Sequence, residues 1–139
     1  MVEDRDPLRV ETDLPGGVAA PMEARGFLRA ALQTWKLDGF GQVTELLTDE
    51  LVSNVVRHVG ADMRLRAIRH SGAIRVEVDD PSATAPTVRH PGPNDPWGRG
   101  LLLVDALSDR WGTDLRTDGK TVWFELDVET ATEEVHDNT

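Results

Sequence analysis

The chain has 139 residues, 39% of them apolar, and a formal charge of −10. That length accommodates one domain with its own core and not two, and the charge argues against direct nucleic-acid binding or an anionic membrane surface, both of which call for a basic face. There is no cysteine, which removes disulfides and thiolate metal sites; with no secretory leader and no apolar run of about 18 residues, the cytoplasm is the expected compartment.

A short strand is expected at Leu8–Val10, followed by a loop at Pro15-Gly16-Gly17. A first helix is expected from Pro21 or Met22 to about Trp35, with Met22, Phe27, Leu28, Ala31 and Leu32 as its apolar members. After a connection at 37–41, a second helix runs from about Gln42 to Val59 and stops at Gly60. At about 100° per residue, Val43, Leu46, Leu47, Leu51 and Val55 define its apolar arc. Glu50 and Asn54 project near the middle of that arc, and His58 falls between Leu47 and Leu51. Polar groups in a core-facing stripe cost free energy unless something satisfies them, so this helix reads as the wall of a polar pocket.

Two strands are expected next, Met63–Arg69 and Ala73–Asp80, joined at His70-Ser71-Gly72. Ile74, Val76 and Val78 alternate with Arg75, Glu77 and Asp79, so Asp80 continues the inward phase and Asp79 the outward one. Residues 81–97 hold five of the eight prolines and show no periodicity, the signature of a functional or unstructured loop. Gly98-Arg99-Gly100 then leads into a helix over LLLVDALSD. Strands at Arg110–Arg116 and Lys120–Val128 close the fold around a Thr117-Asp118-Gly119 turn, and an acidic tail, 129–139, is expected to be unstructured. The sum, over residues 1–128, is an α+β two-layer sandwich with helices on one face of a mostly antiparallel sheet.

Four features carry candidate chemistry. Glu50 and Asn54, one helical turn apart, read as a general base beside a neutral oxygen ligand for Mg²⁺, or as polar residues that cap backbone or face solvent. Asp80 reads as the acceptor for an exocyclic amine such as that of adenine, or as a strand-end aspartate opening a turn before Pro81. Gly98-Arg99-Gly100 before a helix is suited to an anion, or is an ordinary glycine loop. His58 suits a phosphate or ribose, or is a satisfied histidine near a helix end. H-E-x-x-H, the P-loop pattern and G-x-S-x-G are all missing, which removes zinc hydrolase, P-loop and hydrolase-elbow readings.

The order of these features resembles the Bergerat ATP-binding fold, the histidine kinase-like ATPase fold, and within it the small bacterial anti-sigma factor serine/threonine kinases. The resemblance spans roughly residues 15–128. It implies ATP and Mg²⁺ as cofactors, Glu50 as catalytic residue and Asn54 as the metal-binding asparagine. It places Asp80 on the adenine, Gly98, Arg99, Gly100 and Leu101 on the phosphates, and Thr121 near the base, with Arg57 and His58 also on the nucleotide. The loop 81–97 would be a lid, and Arg25 would contact a partner. The implied partners are a sigma factor, an anti-sigma factor antagonist protein, or both, and a second copy of the chain. The sequence departs from the superfamily's D-x-G-x-G, reading Asp80-Pro81-Ser82-Ala83-Thr84. The carboxylate is kept but the glycines that bend the chain around the base are not. That departure motivates an alternative: a partner-switching binding module with weak nucleotide affinity and no kinase activity.

Overall fold

The computed structural model describes residues 8–84 and 99–128, with Arg99 and Gly100 described by backbone alone. Gly98, residues 85–97 of the expected lid and the 129–139 tail lie outside the described residues. The elements run β1 (Leu8–Leu14), α1 (Ala20–Thr34), α2 (Gly41–His58), β2 (Met63–His70), β3 (Ala73–Asp80), α3 (Arg99–Leu107), β4 (Arg110–Arg116) and β5 (Gly119–Asp127). The five strands form one antiparallel sheet in the order β1-β2-β3-β5-β4. β1 is longer than expected, because Glu11 to Leu14 pair in register with Arg66 to Met63. The connection at 37–41 contains one 3₁₀ turn, Asp38–Phe40.

The core lies between one sheet face and the helices. From the sheet come Leu14, Met63, Leu65, Ala67, Ile74, Val76, Val78, Val122, Phe124 and Leu126; from the helices come Leu28, Leu32, Leu47, Leu51, Val52, Val55, Leu101 and Val104. α2 packs against both α1 and α3 and is the middle helix of the layer. Turn chemistry explains the joints. Ser71 and Gly72 both take positive φ between β2 and β3, as a two-residue hairpin matched to strand twist requires. Gly60, at φ 68°, ends α2 and donates its N–H to the Val55 carbonyl at 2.8 Å.

Two details of the helices differ from expectation. Met22 is 66% exposed, and α1 buries Ala20 and Ala24 beside the expected Leu28, Ala31 and Leu32. α2 is rotated: Leu46 is 41% exposed, while Thr44 and Thr48 are fully buried. A threonine can serve a core-facing helix position by hydrogen-bonding its hydroxyl to the preceding turn and presenting its methyl outward. Thr44 does so, donating to the Phe40 carbonyl at 2.6 Å. The buried arc therefore runs through Thr44, Leu47, Thr48, Leu51, Val52 and Val55, and Glu50 and Asn54 stand at its edge, half-buried, rather than at its middle.

The other sheet face is a charged ladder. Arg110 donates to Glu125 (2.7 Å) and Arg75 to Glu125 (2.8 Å) and Glu77 (2.7 Å); Arg66 donates to Glu77 (2.6 Å) and Asp79 (2.7 Å). The Arg75 guanidinium also lies 4.0 Å from the centroid of the Trp123 ring. Burial pushes the Glu77, Asp79 and Glu125 carboxyls up, but hydrogen bonds, chiefly from the arginines, outweigh it and leave all three below their ordinary values. A carboxyl whose folded pKa is depressed adds stability above its unfolded pKa and loses it as pH falls through the folded value. Thermal unfolding followed from pH 7 to pH 3 is therefore expected to show Tm level at first and falling below about pH 4. Substituting Glu77 with Gln should make that fall shallower, and an unchanged acid limb would exclude Glu77 as a source of it.

Candidate nucleotide site

The site begins where β3 ends. Strand alternation carries Asp80 into the inward phase of Val76 and Val78, and the residue is 4% exposed. Its register partner on β5 is Lys120, which is in phase with Val122, Phe124 and Leu126 and is buried too. Lys120 Nζ donates to Asp80 Oδ1 at 3.0 Å and to the Ser82 carbonyl at 3.3 Å. The Ser82 N–H donates to the same Oδ1 at 2.7 Å, an Asx turn that leads the chain into Pro81-Ser82. The other carboxylate oxygen, Oδ2, is buried and accepts no hydrogen bond. A buried acceptor without a donor costs free energy, and a ligand amine would remove that cost.

Gly119 allows the two strands to meet here. A Cβ on it would lie well inside contact distance of the Asp80 carbonyl oxygen, which is rigid backbone. Gly119→Ala is expected to lower stability by about 1–3 kcal/mol, the usual range for overpacking a well-packed site, read as a drop in urea midpoint at unchanged slope. A midpoint within error of wild type would show that the strands can part there at no cost.

Thr121 does not face this pocket. It lies opposite Asp79 in the register, donates to Asp79 Oδ1 at 2.7 Å and accepts from Arg116 Nη1 at 2.6 Å. Both partners belong to the charged face, so the structure places Thr121 across the sheet from Asp80. One residue of register separates the two faces of a strand, and the residue beside Asp80 is Lys120. Sequence reasoning missed Lys120, although its signal was available: it occupies the otherwise apolar inward phase of β5.

Along α2, Glu50 and Asn54 remain one turn apart on the same flank of the helix. The Asn54 side chain is half-buried and has no protein hydrogen bond among the described residues. A half-buried neutral amide in that state suits a hard cation or a phosphate-bound water. Among the described residues no group of three or more His, Asp or Glu is arranged to hold a metal by itself. Mg²⁺ needs no such cage, since it keeps waters and substrate phosphates as ligands; the residues present fit it. Arg57 and His58 are exposed in the last turn of α2, so the structure brings His58 into the arc by phase but leaves it beyond the covered part of the helix. Arg25 donates to Asp49 Oδ1 of α2 at 2.9 Å, which ties α1 to α2.

α3 begins at Arg99, two residues earlier than expected, and ends at Leu107. The first-turn amides of Arg99, Gly100 and Leu101 have no acceptor within the helix and carry the positive end of its dipole. The Leu101 side chain is 4% exposed and belongs to the core. Only its backbone amide is available to an anion, and the side chain anchors the helix start.

Residues 18–126 match the family described as the histidine kinase-like ATPase domain. An uncharacterized protein of Streptomyces coelicolor is 40% identical over 80 residues, covering 52% of this chain and 74% of that protein. The fold is similar to a crystal structure of the RsbU and RsbW domains of Rv1364c from Mycobacterium tuberculosis, with a TM-score of 0.65 at 21% identity. The match covers 88% of this chain, which spans about a third (32%) of that longer one. No helix among the described residues is long and apolar enough to cross a membrane. An antiparallel five-stranded sheet under three helices, an inward aspartate ending its third strand and a family match over most of the length agree: the chain belongs to the histidine kinase-like ATPase domain family.

Proposed function

We propose that this protein binds Mg-ATP between α2, the end of β3 and the start of α3, and acts as a cytoplasmic regulator of the anti-sigma factor kinase type. In this reading it transfers the terminal phosphoryl group to a serine or threonine of an antagonist protein. The observation that carries nucleotide binding is the buried, donorless Oδ2 of Asp80, an acceptor suited to the exocyclic amine of adenine. Asn54 would supply one oxygen ligand to Mg²⁺ and the first-turn amides of α3 would face the phosphates. Bound Mg²⁺ would neutralise charge on the phosphate oxygens. Glu50 would accept the proton of the attacking hydroxyl as its oxygen bonds to the terminal phosphorus and the bond from that phosphorus to the bridging oxygen breaks, releasing ADP.

Two experiments test this in sequence. Titration calorimetry with ATP in the presence and absence of Mg²⁺ is expected to show metal-dependent binding, and Asp80→Ala should reduce it about tenfold or more. Transfer from radiolabelled ATP to candidate antagonist proteins then tests the kinase. Nucleotide binding without transfer to any of them would favour the second reading, a partner-switching module that has kept the fold. Ser82 and Thr84, standing where D-x-G-x-G has its two glycines, support that alternative. A sigma factor, its antagonist and a second copy of this chain are the partners to try in co-purification.

A further inference from the structure

The Asp80–Lys120 pair is buried at the floor of the proposed base site. The Asp80 side chain is 0% exposed and that of Lys120 is 6% exposed, so both charges are out of water. Taking an ammonium and a carboxylate out of water is costly unless each is well hydrogen-bonded. Here the bonding is incomplete on both sides. Lys120 Nζ has three N–H donors and spends two, on Asp80 Oδ1 and on the Ser82 carbonyl; the third has no acceptor among the described residues. Asp80 spends Oδ1 on Lys120 and the Ser82 amide and leaves Oδ2 without a donor. The pair thus presents one open acceptor and one open donor, carried by directly opposed residues on adjacent strands.

A ligand edge that satisfies both must offer a donor next to an acceptor. The amidine-like edge of adenine does this, with its exocyclic amine beside the lone pair of ring nitrogen N1. We infer that Lys120 is a specificity-determining residue that donates to the ring nitrogen N1 of the base while Asp80 Oδ2 accepts from the exocyclic amine. The inference rests on the nucleotide-binding reading above and assigns it a second reader. With Lys120 in place, an analogue that keeps the amine but lacks N1 strands a buried ammonium donor. Buried polar groups left unpaired are what make a hydrogen-bonding site discriminate strongly.

The test compares three nucleotides by calorimetry with Mg²⁺: ATP, 1-deaza-ATP, which has the amine but no N1, and purine riboside triphosphate, which has N1 but no amine. Wild type should bind each analogue about 10- to 100-fold more weakly than ATP, the range for a hydrogen bond to a charged group. Lys120→Met should lose the discrimination against 1-deaza-ATP and keep that against purine riboside triphosphate; circular dichroism checks that the variant is folded. If Lys120→Met does not fold, the wild-type comparison still decides: equal affinity for ATP and 1-deaza-ATP overturns the inference. So does a folded Lys120→Met that still discriminates against 1-deaza-ATP as wild type does. Wild type that binds ATP without sensing N1 leaves the nucleotide reading standing and removes only the role of Lys120. Wild type that binds none of the three removes both.

Discussion

Glu50→Gln is expected to lower phosphoryl transfer by about 10²–10⁴-fold, the usual contribution of a positioned general base, while Mg-ATP affinity stays near that of wild type. Glutamine matches glutamate in shape and keeps one acceptor oxygen, so the α2 surface should be preserved. It lacks the basic carboxylate needed to take the proton of an attacking hydroxyl. Nucleotide affinity should be spared because the groups assigned to hold it lie elsewhere, on Asp80, Asn54 and the first turn of α3. Calorimetric Kd values measured beside initial transfer rates check both halves. Transfer at the wild-type rate would sink the assignment of Glu50 as base. Loss of ATP binding together with transfer would make Glu50 a ligand-holding residue instead.

The largest expected effect on stability is at the buried ion pair. Lys120→Met should cost about 3–5 kcal/mol, because removing one partner of a buried pair leaves the other charge uncompensated. For a domain whose total stability is about 5–15 kcal/mol, that is a large share. The double variant Asp80→Leu/Lys120→Met should recover most of the loss, since replacing both partners by apolar groups of similar volume is often neutral or better. Urea unfolding of the two single variants, the double variant and wild type closes the cycle. A Lys120→Met cost below about 1 kcal/mol would place the pair in the class of exposed surface bridges, contrary to its burial. Recovery of stability in the double variant with complete loss of nucleotide binding would show that the pair is retained for recognition at the expense of stability.

Much of the fold is legible in the chain because the informative signals are local. Strand alternation from Ile74 to Val78 predicted the inward turn of Asp80, and the observed β3 has the expected bounds, Ala73–Asp80. Gly60 and the Ser71-Gly72 turn mark element ends through backbone conformations available to few residues. α2 was legible as a helix but not in its rotation. A hydropathy pattern counts Thr44 and Thr48 as polar, whereas in the folded chain both are buried, and Leu46 faces solvent. Which side of a helix is buried depends on what packs against it, here α1, α3 and the sheet, and no local pattern states that.

The residues of the candidate site divide along the same line. Sequence alone determined that an E-x-x-x-N pair shares one flank of a helix and that Asp80 points inward, because each follows from the period of a single element. Only the tertiary structure decided what meets Asp80. Cross-strand register is set by the whole sheet, and it put Lys120 beside Asp80 and Thr121 on the charged face with Asp79. Side chains alternate faces with every residue, so a shift of one position exchanges the two environments. The inward carboxylate was written in the sequence; the ammonium that half-satisfies it, and the acceptor oxygen left for a ligand, came from the packing of strands separated by 38 residues of chain.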